Sequence, residues 1–136
     1  MPATTLAVAT ADPGDYAEAL FAETNRLRVE RGLAEFEPSD CAREAALART
    51  RELVGRPLVH ASLAGVIAAC APPSATAGEN LSRAEASPAE VVAAWLASPG
   101  HANNLLSPQL AAAGVGCVAD TVGGRTMVLC SEVFLG

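Results

Sequence analysis

The chain contains no lysine. All nine of its basic residues are arginine, set against fifteen acids, for a net charge of -6 with both histidines neutral. The acids and arginines are scattered, and no basic stripe exists to track a phosphate backbone, so nucleic acid is not an expected partner. No run approaches the roughly 20 apolar residues that span a bilayer, so no transmembrane segment is expected. The N-terminal MPATTLAVAT lacks the charged start and the apolar length of a complete signal peptide. Residues 1–14 therefore read as a flexible N-terminal segment, either an ordinary chain end or the remnant of a cleaved leader. No C-x-x-C pair is present, which leaves a zinc ribbon or a thioredoxin-like site unsupported. No G-x-S-x-G elbow is present, and no internal repeat.

What remains is one domain. A chain of 136 residues buries roughly two-thirds of its unfolded surface, and 51% hydrophobic with 18% charged residues is a globular composition. The domain is expected over residues 15–136. Exclusive use of arginine and heavy use of alanine hint at a GC-rich bacterial gene. Cys41, Cys70, Cys117 and Cys130 are an even number in a small domain, which points to two disulfides and to export.

Residues 15–31 read as a helix, with Asp15 as cap, Tyr16, Leu20 and Leu27 on one face, and Gly32 as the stop. Phe36 lies in a short connector. A second, alanine-rich helix starts at Ser39 or Asp40 and ends by Gly55. HASLAGVIAAC is apolar and ambiguous, and APPSATAGEN reads as loop. Ser87-Pro88-Ala89-Glu90 combines a capping serine, a first-turn proline and a reciprocal glutamate, so a helix carrying Trp95 begins there. Ser98-Pro99-Gly100-His101 repeats the start, with Ser98 as a cap bonded to the backbone.

The C-terminal stretch is a hairpin. Gly123-Gly124 suits a two-residue primed turn, which places Cys117 opposite Cys130 in a non-hydrogen-bonded pair with Cα atoms about 4.5 Å apart. That spacing accepts a disulfide, two buried free thiols being the alternative, and Cys41–Cys70 is the other bridge by elimination. Met127, Leu129, Val133 and Leu135 share one face of the last strand, and Val128, Cys130 and Phe134 the other. A strand apolar on both faces is covered on both, so the sheet is expected between helix layers.

Four polar side chains carry whatever chemistry exists. Glu132 interrupts the Cys130 and Phe134 face and reads as a strand-end carboxylate that reaches solvent. His60, Glu79 and His101 have no short metal-binding spacing, yet by type they could hold zinc with an open position, or move protons. With the cysteines oxidised, no nucleophile is evident.

Five elements then fall in the order of a known family. Asn25-x-x-Arg28 with Gly32-Leu33, His60-Ala61-Ser62, Gly78-Glu79-Asn80-Leu81, the Trp95-to-Leu105 motif and the closing Gly114-Val115-Gly116 and Val133-Phe134-x-Gly136 resemble the CAP superfamily, or SCP domain, in its bacterial form. The resemblance covers about residues 15–136. It implies an α+β fold, a three-layer α-β-α sandwich with a small, mainly antiparallel sheet, in a secreted protein; a monomer is expected. It also implies a cavity lined by two histidines and two acids, onto which His60, Glu79 and His101 map, with Asn80 and Trp95 beside them. The fourth acid is replaced by Ser98, and Glu132 is a candidate substitute. The function so implied is a non-catalytic binding or interaction module for a small hydrophobic ligand (a sterol or fatty acid) or an extracellular partner, with no cofactor required. The competing reading is a metal-assisted hydrolase, with zinc on His60 and His101 and Glu79 activating water.

Overall fold

The computed structural model describes residues 12–136. The expectations for residues 1–11 lie outside that range. Two helices open the chain, α1 over Pro13–Glu30 and α2 over Asp40–Leu53, separated by a two-residue strand, β1, at Glu37–Pro38. Then follow α3 (Ala64–Cys70), β2 (Ala77–Ala84), α4 (Pro88–Leu96), α5 (Pro99–Leu106), β3 (Ala112–Val122) and β4 (Arg125–Leu135). The sheet order is β1-β3-β4-β2, antiparallel except for β1 against β3. It is the expected three-layer sandwich. Tyr16, Leu20, Trp95, Leu105 and Phe134 join α1, α4 and α5 to one sheet face, while Ala42, Ala46, Val133 and Leu135 join α2 to the other.

The hairpin register is the one that the glycines dictate. Gly123 and Gly124 take φ of +58° and +78°, the double left-handed conformation of a primed turn, and Cys117 pairs with Cys130. Both expected disulfides form, Cys117–Cys130 with Cα atoms 4.2 Å apart and Cys41–Cys70 at 5.7 Å. Gly114 and Gly116 explain how close α2 can lie. A Cβ on either would sit 2.2 Å from the Arg43 nitrogen or 2.4 Å from the Leu47 nitrogen, both helix backbone.

Three local expectations are corrected. The cap of α1 is Asp12, whose carboxylate accepts from the Asp15 N–H, because Pro13 opens the helix two residues earlier than the hydrophobic period shows. APPSATAGEN is not all loop: β2 starts at Ala77, since the edge strand needs few apolar residues and the polar GEN stretch hides it. Ser98 stands at the N-cap of α5, but its side chain makes no capping bond. The capping box at Ser87 and Glu90 forms as its spacing demands.

The Asn25-x-x-Arg28 motif is a clamp. Asn25 accepts from the Phe36 N–H at 2.7 Å and donates to the Phe36 carbonyl at 3.2 Å, fixing the connector into β1. Arg28 donates to the carbonyls of Ala34, Leu105 and Ser107 and lies 3.9 Å over the Phe36 ring. One side chain thus ties the end of α1 to the end of α5.

Candidate functional site

β2 is an edge strand, and a cleft of about 250 Å³ wraps around it, lined by His60, Glu79, Ser98, Gly100, His101 and Asn104. Alternation along β2 assigns the roles. Glu79, Leu81 and Arg83 face the α2 layer, while Asn80 turns toward α5. Asn80 donates to the His101 carbonyl at 3.2 Å, and Asn104 donates to Asn80 Oδ1 at 3.0 Å and to the Glu79 carbonyl at 3.3 Å. These amides fasten the first turn of α5 to the strand and so aim His101. Trp95 is buried behind the cleft, donating from Nε1 to the Leu81 carbonyl at 3.0 Å, its ring stacked 6.4 Å from the His101 ring.

Glu79 is the centre of the arrangement. Its side chain is only 2% exposed, yet it has three neighbours. His60 Nδ1 lies 3.1 Å from Oε1, the Ser131 hydroxyl donates to Oε2 at 3.3 Å, and Arg49 Nε stands 3.3 Å from Oε2. A carboxylate only accepts, so His60 carries its proton on Nδ1 and keeps Nε2 as the basic nitrogen. The Arg49 contact is an ion pair without an aligned hydrogen bond, because Nε has no partner of correct geometry. The same guanidinium also donates to the Val59 carbonyl, next to His60. His101 is held below the usual histidine range, first by burial and then by repulsion from His60 across the cleft whenever that ring too is protonated.

The segment that delivers His60 is anchored from below. Arg83 donates to Asp120 at 2.8 Å and to the carbonyls of Leu53 and Arg56 at 2.9 and 2.7 Å. Asp120 in turn accepts from the Gly55 N–H at 3.2 Å. This knot fixes the chain leaving α2 and sets the start of the run to His60.

Of the residues singled out in the sequence, His60, Glu79, Ser98 and His101 line one cleft, and Asn80 and Trp95 support it. Glu132 does neither thing expected of it. It is fully buried rather than solvent-reaching, and it is paired in register with Asn80, on the opposite sheet face from Glu79. Its Oε1 accepts from Thr24 at 2.9 Å, and it bonds to neither imidazole, so it is no substitute for the missing acid. Arg49 and Ser131 were not legible as site residues. For Arg49 a signal existed: it continues the series Ala42, Ala46, Leu53 along the buried face of α2, where a charge needs a partner.

Zinc does not fit this set. Both Glu79 oxygens are engaged, one beside a permanent guanidinium cation, which leaves His60 Nε2 and a His101 nitrogen as the cleft's donors among the described residues, fewer than the three protein ligands of a zinc site. Among the described residues no three His, Cys, Asp or Glu side chains converge on a common metal position.

A family model described as the cysteine-rich secretory protein family (CAP) matches residues 21–131. The uncharacterized protein YkwD of Bacillus subtilis is 49% identical over 43 residues, which cover 32% of this chain and 17% of that protein. Solved structures with the same fold include an extracellular SCP-domain protein of Bacillus anthracis (TM-score 0.71, 19% identity, 90% of this chain and 41% of that one). An outer surface protein of Borrelia burgdorferi matches over nearly its whole length (TM-score 0.72, 21% identity, 92% of this chain and 95% of that one). The chain thus spans less than half the length of the YkwD and Bacillus anthracis proteins.

Proposed function

The chain belongs to the cysteine-rich secretory protein (CAP) family, and from that premise we propose that it is a secreted, non-catalytic binding domain. Its histidine cleft would receive a polar group of an extracellular partner. Two disulfides and the extracellular or outer-surface character of the structural relatives support export. The observation that carries the non-catalytic reading is the engagement of Glu79. A general base must reach substrate, and this carboxylate is only 2% exposed and turned onto Arg49, His60 and Ser131. Satisfied in this way, Glu79 works as a brace that holds His60 against the strand edge.

The sterol or fatty acid implied by the family resemblance matches this cleft poorly. Its walls are imidazole, carboxylate, amide and hydroxyl, whereas a lipid site is walled mainly by apolar side chains. The presented groups are His60 Nε2, the Ser98 hydroxyl that caps nothing, and the His101 ring. Turnover assays with a p-nitrophenyl ester and labelled casein, with zinc added, test the proposal. Wild type and Glu79→Gln should both match the buffer blank. Hydrolysis abolished by Glu79→Gln would establish the enzyme reading instead.

A further inference from the structure

A second concave site lies on the far edge of the sheet. β1 covers β3 for only two residues, at Ala112 and Ala113, and beyond them no strand among the described residues lies beside the outer edge of β3. The Ala113 carbonyl points outward, since it accepts from the Ser39 N–H at 3.0 Å. By the two-residue repeat of a strand, Val115 and Cys117 direct their N–H and C=O groups to that same edge. Neither pair has a hydrogen-bond partner among the described residues, although each residue is only 5% exposed. Buried backbone groups of this kind are normally paired. α1 and α2 flank the edge without closing it and leave a groove of about 470 Å³, with Ala17, Phe21 and Leu47 among its apolar walls. Its rim is acidic: Asp15, Glu18 and Asp40 stand against a single cation, Arg43, which is itself 3.5 Å from Asp40.

We propose that this groove binds an extended peptide that adds as a strand to β3, and that the peptide carries Lys or Arg beside a short stretch of small apolar residues. β1 already makes the first rungs of that ladder, so the edge is preformed for main-chain pairing. Four extended residues span about 13 Å, the length of Gly114–Cys117 itself. The groove volume lies within the range of small-ligand sites. Three carboxylates against one guanidinium select a cationic partner, and two helix walls admit alanine- or valine-sized side chains on both faces of the strand.

The probe is a fluorescent heptapeptide of alternating valine and threonine between terminal lysines, titrated into the intact protein. Two control peptides carry N-methyl groups, one on its valines and the other on its threonines. Strand addition predicts saturable binding of the parent and at least tenfold weaker binding of one N-methyl isomer but not the other. It predicts several-fold weaker binding to Glu18→Lys, a surface change that leaves the fold intact, and slower amide exchange at Val115 and Cys117 when peptide is present. Any of four results overturns it: no saturable binding up to millimolar peptide, equal loss with both N-methyl isomers, palmitate binding in the groove with those amides unchanged, or amides already protected without peptide. Protection that grows with protein concentration would identify the occupant as a second copy, and protection independent of concentration would identify the chain itself.

Discussion

The residue that most rewards measurement is Glu132. Burial without a counter-charge pushes its carboxyl up to about 8, opposed only by the Thr24 hydrogen bond, and Oε2 has no partner among the described residues. The sign follows from proton binding. Between the ordinary glutamate value and about 8 the folded state holds a proton that the unfolded state has released, so stability falls as pH rises through that window. The slope approaches about 1.4 kcal/mol per pH unit when one proton is at stake. Glu132→Gln should flatten the dependence of the urea midpoint between pH 5 and 8 and match or exceed wild-type stability at pH 8. Parallel curves for the two proteins would refute this. Trp95 offers a second residue-scale test. Trp95→Phe keeps a ring in the core but strands the Leu81 carbonyl, at a cost of about 1–3 kcal/mol, read from denaturant melts.

At the scale of elements, the glycines of β3 separate sterics from propensity. Gly116→Ala drives a Cβ into the backbone of α2, which cannot yield as a side chain would, so it should cost about 3 kcal/mol or prevent folding. Gly65→Ala, in α3, meets no atom within 4 Å and should be neutral or stabilising by up to about 1 kcal/mol. Comparable losses for the two variants would mean that α2 does not lie on β3 as described. The same elements show which features the sequence exposes. The hairpin, its register and the Cys117–Cys130 bridge were legible because a two-residue glycine turn leaves no freedom in pairing. β2 was not legible, since an edge strand with polar groups on both faces carries no hydrophobic alternation. The α1 boundary shifted because capping, rather than apolar period, decides where a helix begins.

For the whole molecule, the two bridges divide by depth. Cys117 and Cys130 are buried at 5% and 0% exposure, while Cys41 and Cys70 lie nearer the surface. Mild reductant under native conditions should open Cys41–Cys70 first, and alkylation with mass mapping should find label there before it reaches the sheet. Simultaneous labelling would contradict that order. The histidine cleft was half legible. His60, Glu79 and His101 stood out by type, but the contacts of Arg49 and Ser131 cross 30 and 52 residues of chain, and no local pattern carries them.

Those two contacts decide the central claim, that the cleft is braced by a guanidinium rather than organised around a metal. The most direct measurement is the melting temperature of wild type and His101→Ala in a zinc titration carried to large excess at pH 7.5. A resident metal stabilises by RT ln(1 + [L]/Kd), which reaches about 2.7 kcal/mol at a hundredfold excess over Kd. The braced cleft predicts that zinc moves neither curve. A rise in the wild-type midpoint that grows with zinc and vanishes in His101→Ala would contradict it.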